Sequence, residues 1–176
     1  MPKDIHKYKS KIDVRMIFRD HFNTLVNANT GKFGLDDILS FLIIPSLFSI
    51  VFIYLGFDVD KDTIETIVAS LAIFVGLLFN ALVLLIDVSR KQENTSIKSI
   101  IIELTANIAF SIAWSFVSIL VMLLGFIEDL PELLKTLIDF LSFFCLMVFL
   151  LTFLMVLKRT YLVFLNELIS NQEKPK

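Results

Sequence analysis

The chain has 176 residues, 56% of them hydrophobic and 19% charged, with a net charge of −2. A soluble domain carries about 45–50% apolar and about 25% charged residues, so the excess argues against an ordinary water-soluble fold. The charge total excludes little, but the placement of the charges is informative.

Residues 1–37 are polar and basic, without a secretory signal peptide before the first apolar run. Within them Ile5, Tyr8, Ile12, Met16, Phe22 and Leu25 recur at helical or near-helical spacing. Lys7, Lys11, Arg15 and Arg19 flank that stripe. The pattern predicts an amphipathic helix lying on an anionic inner leaflet or offered to a cytosolic protein partner. Arg15 and His21 loosely fit an arginine-spacer-histidine nuclease pattern, but a basic interfacial helix explains both. His6 and His21 have no further ligands at metal-binding spacing.

Four apolar stretches follow, at 38–57, 64–86, 100–127 and 137–157. Each has about 20 residues or more, enough to cross a hydrocarbon core of about 30 Å as a helix. They are apolar all round, whereas a soluble helix hides one stripe. Pro45 interrupts the first stretch, and Gly56 and Gly125 fall where the first and third end. Asp62 and Glu65 have capping-box spacing for the second, and Pro131 suits the first turn of the fourth. Beyond 157 the helical pattern continues into a cytoplasmic extension and tail, 158–176. Cys145 lies alone inside the fourth stretch, where it reads as a small apolar residue.

Of the sixteen Lys and Arg residues, fourteen fall in the N-terminal segment, the loop near residue 93 or the C-terminal tail. Only Lys61 and Lys135 lie in the other two loops, which are acidic. Basic loops stay cytoplasmic, so both termini are expected inside. The expectation is an all-α integral membrane four-helix bundle of a bacterial cytoplasmic membrane, with an interfacial N-terminal helix.

The short loop near residue 93 makes the second and third stretches a hairpin. Equal depth then sets Asn80 beside Asn107, Gly76 beside Ser111, Ala72 beside Ser115 and Ala69 beside Ser118. This predicts a seam of small and polar residues, either packed or lining a water path. Glu103, one turn inside the third stretch, has Arg159 as its depth partner, which predicts an ion pair at the interface. Trp114 lies near mid-membrane, where its N–H needs a partner inside the bundle or its ring fills space between subunits.

No nucleophile constellation, phosphate loop, cofactor motif or metal set is apparent, so no catalytic residue is expected. The basic residues serve topology more simply than nucleic acid. The segments FRDHFNTL (18–25), TGKFGLDDILSFLIIPS (30–46) and FVGLLFNALVLLID (74–87), with four spans and inside termini, resemble small bacterial membrane proteins of phage-defence operons, the KwaA type of the Kiwa system. That resemblance implies a membrane-embedded homo-oligomer that senses infection with a cytosolic effector, and it transfers no functional residue. The residues themselves predict a non-enzymatic sensor or anchor for a cytosolic partner. The alternative is a holin-like or channel-like pore built on the Asn and Ser seam.

Overall fold

The computed structural model describes residues 14–25, 35–57, 59–91, 95–127 and 129–172. Among them the regular structure is helical: α1 Arg15–Thr24, α2 Leu35–Tyr54, α3 Lys61–Lys91, α4 Thr95–Leu123 and α5 Glu132–Gln172, with a 3₁₀ turn at Leu124–Phe126. Three segments are long and apolar enough to cross a membrane, Lys61–Arg90, Ile97–Phe126 and Glu132–Asn166. The apolar part of α2, Leu39–Tyr54, is shorter. The chain is a helical protein with the composition of a membrane protein.

The helices pack by a repeat of seven. On α3 the inward row is Ile64, Leu71, Leu78 and Leu85, the first three buried. On α4 it is Ile97, Ile101, Leu104, Ile108, Ser111, Ser115, Ser118 and Met122, all buried, in alternating steps of four and three. On α5 it is Ile138, Ser142, Cys145, Phe149, Thr152 and Val156, and the same steps run on to Arg159 and Val163. Such a row keeps one seam facing its neighbours, as in a coiled coil. α4 is central and touches α1, α3 and α5, while α2 lies along α5. Aromatic rings fill the wider gaps. Phe74 of α3 meets Phe149 and Phe153 of α5 with centroids 6.0 and 5.1 Å away, and Phe52 of α2 stacks on Phe143 at 5.1 Å.

The ends are set by local chemistry. At the end of α2, Phe57 N–H donates to Phe52 O and Gly56 N–H to Ile53 O, with Gly56 at φ 76°. This is a Schellman closure, in which glycine takes the left-handed position at no steric cost. α3 is capped by Asp60, whose Oδ1 accepts from Thr63 N–H at 2.9 Å, and not by the Asp62 and Glu65 box expected from spacing. Hydrogen bonds from the Thr63 side chain and backbone hold the Asp60 carboxyl below its ordinary range. Pro131 precedes the first residue of α5, and its carbonyl accepts from Leu134 and Lys135. At Gly125 a Cβ would sit 2.9 Å from Ile64 Cδ1, so glycine lets the 3₁₀ turn close onto α3. Pro45 is buried inside α2, where Ser49 Oγ donates to its carbonyl at 2.8 Å.

The seam expected between α3 and α4 is corrected. Gly76 and Asn80 are exposed, and an added Cβ at Gly76 would meet nothing within 4 Å. The row Ile64, Leu71 and Leu78 repeats every seven residues, as the inward row of α4 does, and so meets it. The stripe Ala69, Ala72, Gly76 and Asn80 lies outward among larger exposed residues such as Ile73, Leu77 and Leu84. Only the α4 half of the expected seam is interior. Ser111 and Ser118 donate to Asn107 O and Trp114 O, and Ser115 to Ile112 O, so each serine is satisfied by its own helix.

Candidate functional site

The most concentrated polar chemistry among the described residues lies where α1 meets α4. α1 turns Phe18, His21 and Leu25 toward the bundle, at steps of three and four. The expected apolar face is divided: Leu25 turns inward, while Met16 and Phe22 are both 41% exposed and open to a leaflet or a partner. Ile5, Tyr8 and Ile12 lie outside the described residues, as do Lys7 and Lys11. Phe18 meets Phe110 edge-on at 5.1 Å and Trp114 at 6.4 Å. The His21 ring stacks on Phe110 with centroids 3.8 Å apart and planes 8° apart, and Phe41 of α2 closes its edge at 6.0 Å. His21 is 1% exposed.

Asn107 of α4, wholly buried, is the polar partner of α1. Its Oδ1 lies 2.9 Å from His21 Nδ1 and 3.0 Å from Thr24 Oγ1, while Nδ2 has no partner. Thr24 Oγ1 also lies 2.7 Å from His21 O, and one hydroxyl proton cannot serve both oxygens at once. The three contacts each gain one donor and one acceptor when the amide is turned over, which its nearly isosteric ends allow, and Oδ1 then takes the unpartnered place. The nitrogen then donates to both His21 Nδ1 and Thr24 Oγ1, and the hydroxyl donates to His21 O. In that arrangement His21 is neutral, with its proton on Nε2.

Arg159 joins the third helix to this cluster. Its Nη2 donates to Thr24 O at 3.1 Å, its Nη1 donates to Glu103 O at 3.2 Å, and Nη2 lies 3.2 Å from Glu103 Oε2. The sequence-predicted pair is therefore brought together, with the arginine side chain 14% exposed and the glutamate 45%. The arginine does more than the spacing implied. Thr24 is the last residue of α1, where carbonyls lack intrahelical partners and the helix dipole is negative. A planar guanidinium can serve the α1 end and Glu103 together, as an ammonium cannot.

Burial holds the His21 pKa down to about 4 from its ordinary value of 6.5, and the Arg159 charge adds to the lowering. Trp114 Nε1 donates to Cys145 O at 3.0 Å, the partner inside the bundle that its depth required. Arg15 and Arg19 are exposed on α1, with Arg19 Nε 3.6 Å from Asp20 Oδ1. No group of three or more His, Cys, Asp or Glu side chains suited to a metal occurs among the described residues.

The arrangement is a clasp. It fastens a short basic helix to the bundle through a neutral imidazole, an amide and a shared arginine. Its one sequence signal was the spacing of Phe18, His21, Thr24 and Leu25, a second face on α1 hidden behind the more apolar one. Comparison of the chain with family models, curated proteins and solved structures finds no match.

Proposed function

We propose that this chain is an oligomeric, non-enzymatic sensor or anchor of the bacterial cytoplasmic membrane, with α1 as the element that a cytosolic partner engages. The observation that carries the reading is the clasp. α1 is held by the stacked His21 ring, the Phe18 and Leu25 side chains and a few hydrogen bonds, while the long helices share continuous apolar rows. An element with few buried contacts is the part that opens first. Phe18 reaches the depth of Trp114, so docked α1 holds Arg15 and Arg19 away from the cytosolic face; its release would offer them, with Lys7 and Lys11 before them, to an acidic partner surface or anionic lipid. In the setting that the phage-defence resemblance implies, that partner is an effector.

The reading includes four spans with both termini inside. α2, at 20 residues, has the length of about 30 Å that a crossing needs. It also includes self-association through the outer face of α3, where Ala72, Gly76 and Asn80 recur at steps of four. Small residues allow close approach of membrane helices, and an outward Asn at mid-depth gains a hydrogen bond from a second copy. That outward Asn80 is also the feature that favours the alternative, a pore lined between subunits. The interior serines favour packing instead, since each is wholly buried and bonded to its own helix.

The test is a co-purification with paired liposome flux. Charge reversal at Lys7, Lys11, Arg15 and Arg19 should strip cytosolic protein from the full-length chain, and wild-type liposomes should stay tight to small ions. Ion flux that Asn80→Leu abolishes would establish the pore and end the anchor reading. Reporter fusions should read outside at Asp60 and Glu132 and inside at Glu93 and Lys176.

A further inference from the structure

We infer that the groove between α1, α3 and α4 is a binding site for one anionic phospholipid of the leaflet on the side of the α3–α4 loop. The groove has a volume of about 860 Å³, within the range of sites for small molecules. It runs along α3 from Leu82 to Arg90, about 12 Å at ~1.5 Å per residue. Half of a hydrocarbon core is about 15 Å, so its depth matches one leaflet.

Its polarity is graded along that depth. The deep end is apolar on α3 and α4, with Leu82, Ala106 and Ala109 in its walls. The loop end carries Ser89 and Arg90. An acyl chain fits the first and a phosphate the second. The charges leave Arg90 for that phosphate. The other lining ionic groups are Asp20, which faces Arg19 at 3.6 Å, and Glu103, which is paired with Arg159 at 3.2 Å. Arg90 is exposed and makes no ion pair among the described residues. A guanidinium at this position recognises phosphate and repels a cationic headgroup.

One wall of the groove is α1 itself, through Met16, Ile17, Asp20, Asn23 and Thr24. The lipid therefore binds the docked state of α1 better than the released one. Two events that favour the same state are coupled, and the coupling is reciprocal. Lipid composition sets how readily α1 leaves the bundle. This step rests on the proposed role of α1, whereas the lipid site itself does not.

The full-length protein in detergent is titrated with dioleoylphosphatidylglycerol, dioleoylphosphatidylcholine or oleate. Bound lipid is counted by native mass spectrometry, and α1 docking is followed by the emission of Trp114, the single tryptophan, which faces Phe18. One phosphatidylglycerol per protomer should bind in preference to phosphatidylcholine and to oleate. Arg90→Gln should lower that headgroup preference about fivefold without moving Trp114 emission of the lipid-free protein. Ala106→Leu and Ala109→Leu should exclude both phospholipids by filling the apolar end. Equal binding of the two headgroups in the wild type overturns the site, as does a preference that survives Arg90→Gln. Oleate that binds as tightly as phosphatidylglycerol overturns the phospholipid assignment. If the alanine variants do not fold, the exposed Arg90→Gln still decides. Failure of the clasp appears in Trp114 emission and failure of the groove in headgroup preference, so the two are distinguished.

Discussion

At the scale of single residues, His21 does what no neighbour on α1 can. It presents a flat apolar face to Phe110 and a polar edge to Asn107, so one side chain supplies both stacking and direction. The turned amide requires Nδ1 bare and Nε2 protonated, the unturned amide requires Nδ1 protonated, and ¹⁵N chemical shifts of the imidazole distinguish the two. Protonation removes the acceptor and places a charge near Arg159. The docked imidazole titrates at about 4, against an ordinary 6.5, so the released helix binds the proton more tightly. Docking is therefore at full strength above about pH 6.5 and weakens as pH falls toward 4, by up to about 1.4 kcal/mol per unit. Acid titration of Trp114 emission should show α1 leaving in that window, and His21→Phe should abolish the pH dependence. The amide is tested separately. Asn107→Leu strands the imidazole and should loosen α1 by about 1–3 kcal/mol, whereas adding His21→Phe removes both polar partners and should recover most of the loss. A denaturation series on the four proteins, read by Trp114, measures that coupling.

At the scale of helices, loop length and side-chain pattern carry different information, and the sequence exposes the first more readily. A short loop fixes which residues of a hairpin share a depth, and depth correctly set Glu103 against Arg159 across α4 and α5. Depth does not fix rotation. On α3 the interior is taken by Ile64, Leu71 and Leu78, with Leu85 half-buried, and the stripe of Ala72, Gly76 and Asn80 lies outward. Neither polarity nor bulk alone reads that rotation from the sequence, since Ile73, Leu77 and Leu84 recur at helical steps and face outward. α1 was obscured as well, because its inward face centres on a histidine and its outward face is the more apolar. The rotation of α3 is testable. Cysteines at Gly76 and Ser111, in a Cys145→Ser background, should give no crosslink within one chain, since Gly76 faces away. Gly125→Ala should cost about 1–3 kcal/mol by pressing on Ile64, while Gly76→Ala should leave the fold of a single chain unchanged. Thermal unfolding of the two variants side by side separates tight from open glycine. Ser142, buried with its hydroxyl unpaired, should tolerate alanine without loss of stability.

At the scale of the whole molecule, the distribution of order argues for a body and a moving part. α3, α4 and α5 share continuous rows of buried residues, and α2 lies against α5, so these four elements have little freedom. α1 alone is a ten-residue helix, with neither the length nor the apolar row to hold itself. Arg159 is where the part meets the body, because it bonds to the end of α1, to the carbonyl of Glu103 and to the Glu103 carboxylate at once. Replacing it with lysine keeps the charge and loses the fork. Arg159→Lys should therefore leave the bundle folded, with Tm nearly unchanged, and still release α1, seen as a shift of Trp114 emission together with new protease cleavage near residues 14–25. Arg159→Met should release α1 too and also leave Glu103 unpaired at the boundary. Glu103→Gln combined with Arg159→Met should restore stability but not docking, since no donor then reaches Thr24 O. A double variant that redocks α1 would show that Glu103 alone governs the joint and that the α1 carbonyl bond is incidental. Release in both arginine variants, with an intact bundle in the lysine form, is the result that a detachable helix on a rigid membrane body requires.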